Sequence, residues 1–119
     1  MCIRDRHRLT PILSILQNNG HKVALVTDGR MSGASGKVPA AIHLSPEALD
    51  GGILSKLKGG DPLILNAITG ELNCLNEKEV LNRAEAERPF IIQEGHGREL
   101  FCNLRNLASS SDNGASILF

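Results

Sequence analysis

Tryptophan and tyrosine are missing from this sequence and phenylalanine occurs only three times, so any core has to be packed from aliphatic side chains. Net charge is missing too: 13 basic residues balance 13 acidic ones, and no long stretch gathers the basic ones. Without such a field the chain has no electrostatic pull on nucleic acid or on an anionic membrane surface. No apolar run approaches the roughly 20 residues that cross a bilayer. The charged, polar N-terminus lacks the apolar segment of a secretory signal, so a cytoplasmic location is expected. Cys2, Cys74 and Cys102 are odd in number and form no C-x-x-C pair, which argues against a disulfide framework or a metal or cluster site. They read as separate reduced thiols, partly buried as free cysteines usually are.

What is present suits one domain, or a piece of a larger protein: 119 residues, 41% of them hydrophobic. Residues 1–6 show no periodicity and are expected to be an extraneous or non-native leader. Thr10 is a plausible N-cap with Pro11 at the first helical position. Ile12, Leu13, Ile15 and Leu16 then give an amphipathic stripe, and Asn18-Asn19-Gly20 ends the helix. A strand is expected over 22–27, extended chain over 38–44, and a short capped helical turn at Ser45-Pro46-Glu47-Ala48 closed by Gly51-Gly52. Further strands are expected over 53–57, 63–67 and 72–75, separated by turns at 58–61 and Thr69-Gly70. Pro62 belongs at a strand start. Asn76 with Glu79 resembles a capping box opening a helix to about Ala86. A final helix carries Leu100, Phe101, Leu104 and Leu107 on one face, and 115–119 is expected to close as a last strand. The mixture implies an α/β fold: a β-rich, compact, barrel-like domain of swivelling type with peripheral helices.

The chemistry concentrates where the apolar run 23–26 feeds into Thr27-Asp28-Gly29-Arg30-Met31-Ser32-Gly33-Ala34-Ser35-Gly36-Lys37. A strand fixes such a loop in place, and its glycines let backbone approach a ligand. Known motifs fail here. A phosphate P-loop ending at Gly36-Lys37 needs Gly at Met31 and a hydroxyl at Val38. No G-x-G-x-x-G occurs, G-x-S-x-G meets Arg30 where Gly is required, and His7, His21, His43 and His96 are too scattered for zinc. Each of these histidines reads as structural or solvated. What survives is Ser32 between the cations Arg30 and Lys37. An ordinary serine hydroxyl is a poor base, and nearby positive charge is what favours its alkoxide. From the residues alone, a reactive Ser32 and turn-capping roles for Ser32 and Ser35 both stay open.

The run VTDGRMSGASGKVPAAIHLSPEA, residues 26–48, resembles the dihydroxy-acid and sugar-acid dehydratases. The stretch Ala34-Ser35-Gly36-Lys37-Val38-Pro39-Ala40-Ala41-Ile42-His43 is most similar to the phosphogluconate branch of that family. His7-Arg8-Leu9-Thr10-Pro11, Thr69-Gly70-Glu71-Leu72 and Gly97-Arg98-Glu99-Leu100-Phe101 also match. The resemblance implies that 7–119 is the C-terminal domain of a longer hydro-lyase whose N-terminal iron–sulfur domain is missing. It implies dehydration of 6-phospho-D-gluconate to 2-dehydro-3-deoxy-6-phospho-D-gluconate in the Entner–Doudoroff pathway, with Ser32 as the proton-abstracting base. Arg30, Lys37 and Ser35 are the candidate substrate contacts, on physical grounds rather than by family motif. The implied cofactors are an iron–sulfur cluster, expected as 4Fe–4S, and a divalent cation, both in the full-length enzyme. None of the three cysteines matches a cluster ligand, so neither group is expected on this chain alone, and the chain alone is expected to be inactive. The implied partners are a phosphorylated sugar acid, the N-terminal domain and a second copy in a homodimer. Two alternatives remain: a dehydratase of dihydroxy acids or unphosphorylated sugar acids, and a non-catalytic anion-binding or dimerisation module.

Overall fold

A computed structural model describes residues 3–31, 36–87, 94–95 and 97–118, with side chains from Leu9 onward. The first helix, α1, runs Ile3–Asn18. It begins well before the Thr10 cap expected from the sequence, and Pro11 lies inside it. Proline there removes one i→i−4 bond, and the helix continues past it. Its end follows the sequence. Gly20 takes φ +87°, and Gly20 and His21 donate to the carbonyls of Gln17 and Leu16 at 3.0 and 3.1 Å. This left-handed closure satisfies carbonyls the helix would otherwise leave open.

Two small sheets follow. β1 (Leu25–Val26) pairs in parallel with β2 (Ala40–Ala41), Leu25 opposite Ala40 and Val26 opposite Ala41. β3 (Leu63–Asn66) and β4 (Glu71–Cys74) form an antiparallel hairpin in register Leu63–Cys74 to Asn66–Glu71. The hairpin turn lies where Thr69-Gly70 signals it: Asn66 Oδ1 accepts from the Ile68 and Thr69 amides, and Gly70 donates to the Asn66 carbonyl at 2.9 Å. Pro62 precedes the first strand and its carbonyl accepts the Leu75 amide, a place where a missing N–H does no harm.

An α/β composition is what the structure has. The barrel-like sheet expected from the sequence is not: the described strands form two separate pairs. One reason is that 53–57, expected as a strand, is instead a 3-10 turn, Ile53–Lys56. Buried Ser55 holds it by donating its hydroxyl to the Gly52 carbonyl at 2.7 Å. A Cβ on Gly52 would collide with the Pro46 carbonyl and come within 2.8 Å of the Glu47 carbonyl oxygen, so only glycine allows the turn to start this close. The 3-10 turn at Ala48–Asp50 and its Gly51 closure agree with the expected capped turn.

The second helix, α2, spans only Glu77–Leu81, short of Ala86, and Asn76 makes no side-chain cap. Asn76 instead donates to Asp61 and accepts from the Cys74 thiol, while Glu79 turns to Arg83. Tertiary partners outbid the local capping box. α3 is Cys102–Leu107. The expected strand over 115–119 does not form among the described residues; there the Ser116 carbonyl accepts the Ser109 amide and closes a loop.

The core is sparse. Leu25, Val38 and Val80 are the buried apolar side chains among the described residues. The expected faces of α1 (Ile12, Ile15, Leu16) and α3 (Leu104, Leu107, with Leu100 and Phe101 ahead of it) lie open to solvent. The radius of gyration is 16.1 Å, where a compact domain of this length should have roughly 13.5 Å. Among the described residues no helix is long and apolar enough to cross a membrane.

Candidate functional site

The loop singled out in the sequence leaves the end of β1 and returns into β2, so one strand pair holds both of its roots. The Leu25 and Thr27 amides donate to the Pro39 and Ala41 carbonyls at 2.9 Å, and the Leu44 amide donates to the Thr27 carbonyl at 3.3 Å. Thr27 Oγ1 then accepts the Gly29 amide at 2.9 Å, which bends the chain away from the strand. On the returning arm the Lys37 carbonyl accepts from Gln17 Nε2 at 2.6 Å, tying it to α1.

Beyond the strands, side chains fasten the outgoing arm to residues 43–48. Asp28 Oδ2 accepts the Ala48 amide at 2.7 Å, at the start of the 3-10 turn. A carboxylate there satisfies an amide that the turn itself leaves open. Arg30 donates from Nε and Nη2 to Glu47 Oε1 at 3.0 and 2.8 Å, and from Nη2 to the Ser109 carbonyl at 3.2 Å. Ser111 Oγ donates to the same Glu47 oxygen at 3.1 Å. His43 Nε2 lies 2.9 Å from the Met31 amide nitrogen and 2.7 Å from the Met31 carbonyl oxygen.

The C-terminal loop is stitched over this base. Ser45 Oγ donates to Asp112 Oδ1 at 2.9 Å. Hydroxyl donors, Ser110 foremost and then Ser45, hold the Asp112 carboxyl below its ordinary pKa by stabilising the anion.

Of the sequence-predicted site residues, Ser32 and Ser35 lie outside the described residues. Arg30 is engaged as given above. Lys37 is exposed, and its ammonium makes no ion pair among the described residues. Cys74 and Cys102 are free thiols. No group of three or more His, Cys, Asp or Glu that could hold a metal occurs among the described residues. The iron–sulfur cluster and cation implied by the resemblance thus find no fitting donor set there.

Reading the sequence missed the role of 43–48. Its signal was faint: polar His43, Ser45 and Glu47 alternate in an otherwise apolar stretch after β2. His43 and Glu47 meet the loop arm, and Ser45 meets Asp112.

A family described as dihydroxy-acid/6-phosphogluconate dehydratase C-terminal matches residues 4–115. The phosphogluconate dehydratase of Pseudomonas aeruginosa is 54% identical over 112 residues, which are 93% of this chain and 18% of that protein. That of Zymomonas mobilis is 50% identical over 97% of this chain and 19% of its own length. A dihydroxy-acid dehydratase of Sulfurisphaera tokodaii is 39% identical over 86% of this chain and 18% of its own. The chain thus spans about a fifth of the length of these curated relatives. With the match covering nearly every residue, loop and clamp included, the chain belongs to the dihydroxy-acid/6-phosphogluconate dehydratase family, through that family's C-terminal part.

Proposed function

We propose that this chain is the base-bearing C-terminal part of a cytoplasmic hydro-lyase that converts 6-phospho-D-gluconate to 2-dehydro-3-deoxy-6-phospho-D-gluconate. Ser32, as its alkoxide, removes the proton from C2, beside the carboxylate. The C3 hydroxyl leaves, and the resulting enol takes a proton at C3 to give the 2-keto-3-deoxy acid. Lys37, Arg30 and Ser35 face the substrate's anionic groups, Lys37 as a point charge and Arg30 while shared with Glu47. The observation that carries the reading is the pairing of identities: about 50% to phosphogluconate dehydratases against 39% to a dihydroxy-acid dehydratase. The clamped loop base supports it, because a general base works only when held within hydrogen-bond reach of the proton it takes.

The rest of the reading concerns a larger whole. An iron–sulfur cluster, as 4Fe–4S, and a divalent cation belong to the complete enzyme, the cluster held by cysteines of its N-terminal domain. The bare faces of α1 and α3 dock against that domain or the second subunit of a homodimer. The test is a chimera in which this chain replaces the matching segment of the Pseudomonas aeruginosa phosphogluconate dehydratase. It should dehydrate 6-phosphogluconate, and Ser32→Ala should lower kcat by about 10²–10⁴-fold, the usual range for loss of a general base. Gluconate should have a much lower kcat/KM, since phosphate contacts are left unpaired. An Ala variant with parent-like kcat removes Ser32 as the base; equal kcat/KM on both acids removes the phosphorylated substrate.

A further inference from the structure

His43 carries two features that the proposed chemistry does not use. Its backbone sits at φ +55°, a left-handed conformation that residues with a Cβ adopt reluctantly. Its imidazole Nε2 reaches both polar atoms of the Met31 backbone, the amide nitrogen at 2.9 Å and the carbonyl oxygen at 2.7 Å. Met31 is the residue bonded to Ser32. A non-glycine residue stays at positive φ only where its surroundings over-determine it. Here they do: the Thr27 amide donates to the Ala41 carbonyl and the Leu44 amide to the Thr27 carbonyl, pinning the chain on both sides of His43.

We infer that His43 is a positioning residue: its imidazole clamps the Met31 backbone and thereby fixes where the loop delivers Ser32. The inference rests on the reading of Ser32 as the base. One ring nitrogen serves one bond at a time. Deprotonated, Nε2 accepts the Met31 N–H; carrying its proton, it donates to the Met31 carbonyl. The clamp is the accepting state, in which a bare Nε2 holds and protects the Met31 amide. Asp28 and Arg30 fasten the earlier part of the arm to Ala48 and Glu47, and His43 takes the last described residue before the serine. Reacting groups misplaced by about 1 Å lose on the order of 10²-fold in rate. Orienting Ser32 should therefore govern kcat and leave KM, set by the anion contacts, nearly unchanged.

The variants follow from the backbone. His43→Gly removes the imidazole yet accepts positive φ freely, so it separates the clamp from the fold. In the 119-residue chain, Met31 amide exchange should be at least about tenfold faster in His43→Gly at an unchanged melting temperature, in line with loss of a protecting bond. In the chimera, His43→Gly should lower kcat about 10²-fold with KM within about threefold, and His43→Gln, with a donor and an acceptor at its tip, should recover part of the loss. If the glycine variant does not fold, His43→Asn replaces it, tolerating the same backbone but too short to reach Met31. Unchanged Met31 exchange overturns the clamp. A folded His43→Gly with parent kcat, beside a dead Ser32→Ala, overturns the positioning role and leaves Ser32 standing. An active Ser32→Ala removes the base itself, and with it the purpose of the clamp.

Discussion

Two corners of this molecule are built from the same parts, an arginine laid on a carboxylate, and they behave differently. At the hairpin corner Arg83 Nη1 meets Asp61 at 2.6 Å and Nη2 meets Glu79 at 2.6 Å. The Asp61 side chain is 8% exposed there, and it also accepts the Lys58 amide and the Asn76 side chain. At the loop corner Arg30 meets Glu47 at 2.8 Å, but Arg30 is 42% exposed and Glu47 20%. The first carboxylate is largely covered, with donors on both oxygens, and joins the turn before β3 to α2. The second is shared between the loop arm and the C-terminal loop and stands open to water. Ion pairs in water contribute about 0–1 kcal/mol, whereas stripping the partner from an enclosed charge costs far more. The hairpin corner holds the fold. The loop corner ties the loop arm to residues 47 and 109 through a pair that water reaches.

The sharpest way to break the comparison is Arg83→Met. It leaves a largely covered Asp61 without its cation and frees α2, whose fully buried Val80 supplies much of the local core. A melting temperature lower by about 5 °C or more is expected in the 119-residue chain, read by circular dichroism. Equal stability to the parent would make both corners surface pairs and erase the distinction.

Arg30→Met should do less to the fold and more to turnover. Glu47 keeps Ser111 as a donor and water reaches it, so a shift within about 2 °C is expected. In the chimera the same variant should lower kcat/KM for 6-phosphogluconate by about tenfold, as loss of a charged contact to the substrate or of loop order would. A large loss of stability with no change in kcat/KM would reverse the assignment of the two corners.

How far the sequence foretold these corners depends on the range of the contacts. The hairpin was legible because its signals are local: Pro62, the turn at Thr69-Gly70 and apolar residues on both arms lie within a dozen positions. The left-handed end of α1 at Gly20 was legible for the same reason. The 3-10 turn at Ile53–Lys56 was not, since its cause is the approach of Gly52 to the Pro46 carbonyl, invisible in an apolar run. The Asn76 cap failed because Asp61, 15 positions away, takes the side chain. At the site, Thr27 to Lys37 stood out by composition. The residues that fasten this arm, His43, Glu47 and Ser109, lie 12, 17 and 79 positions from their partners, beyond any local pattern. Ser32 was reached through family resemblance, not through spacing.

The smallest effect sharpens the comparison by titration. The Arg83 hydrogen bond, then those from the Lys58 amide and Asn76, holds the Asp61 carboxyl well below the usual carboxylate range. The unfolded chain returns Asp61 to its ordinary value near 3.8, so below that pH the unfolded state binds a proton the folded state still refuses. Linkage then fixes the sign: the contribution is fully present above about pH 4–5 and shrinks as pH falls toward the folded pKa. The melting-temperature gap between the parent and Asp61→Asn should therefore be constant from pH 7 to 5 and narrow by pH 3 without closing. Asp112, lowered by Ser110 and Ser45, has the same sign, and Asp112→Asn should show a smaller gap that narrows in the same direction, because hydroxyl donors stabilise its anion less than a guanidinium does. A gap for Asp61→Asn that widened on acidification would mean that the enclosed carboxylate is held at a cost to the fold, and the hairpin corner would lose its claim to be the structural one.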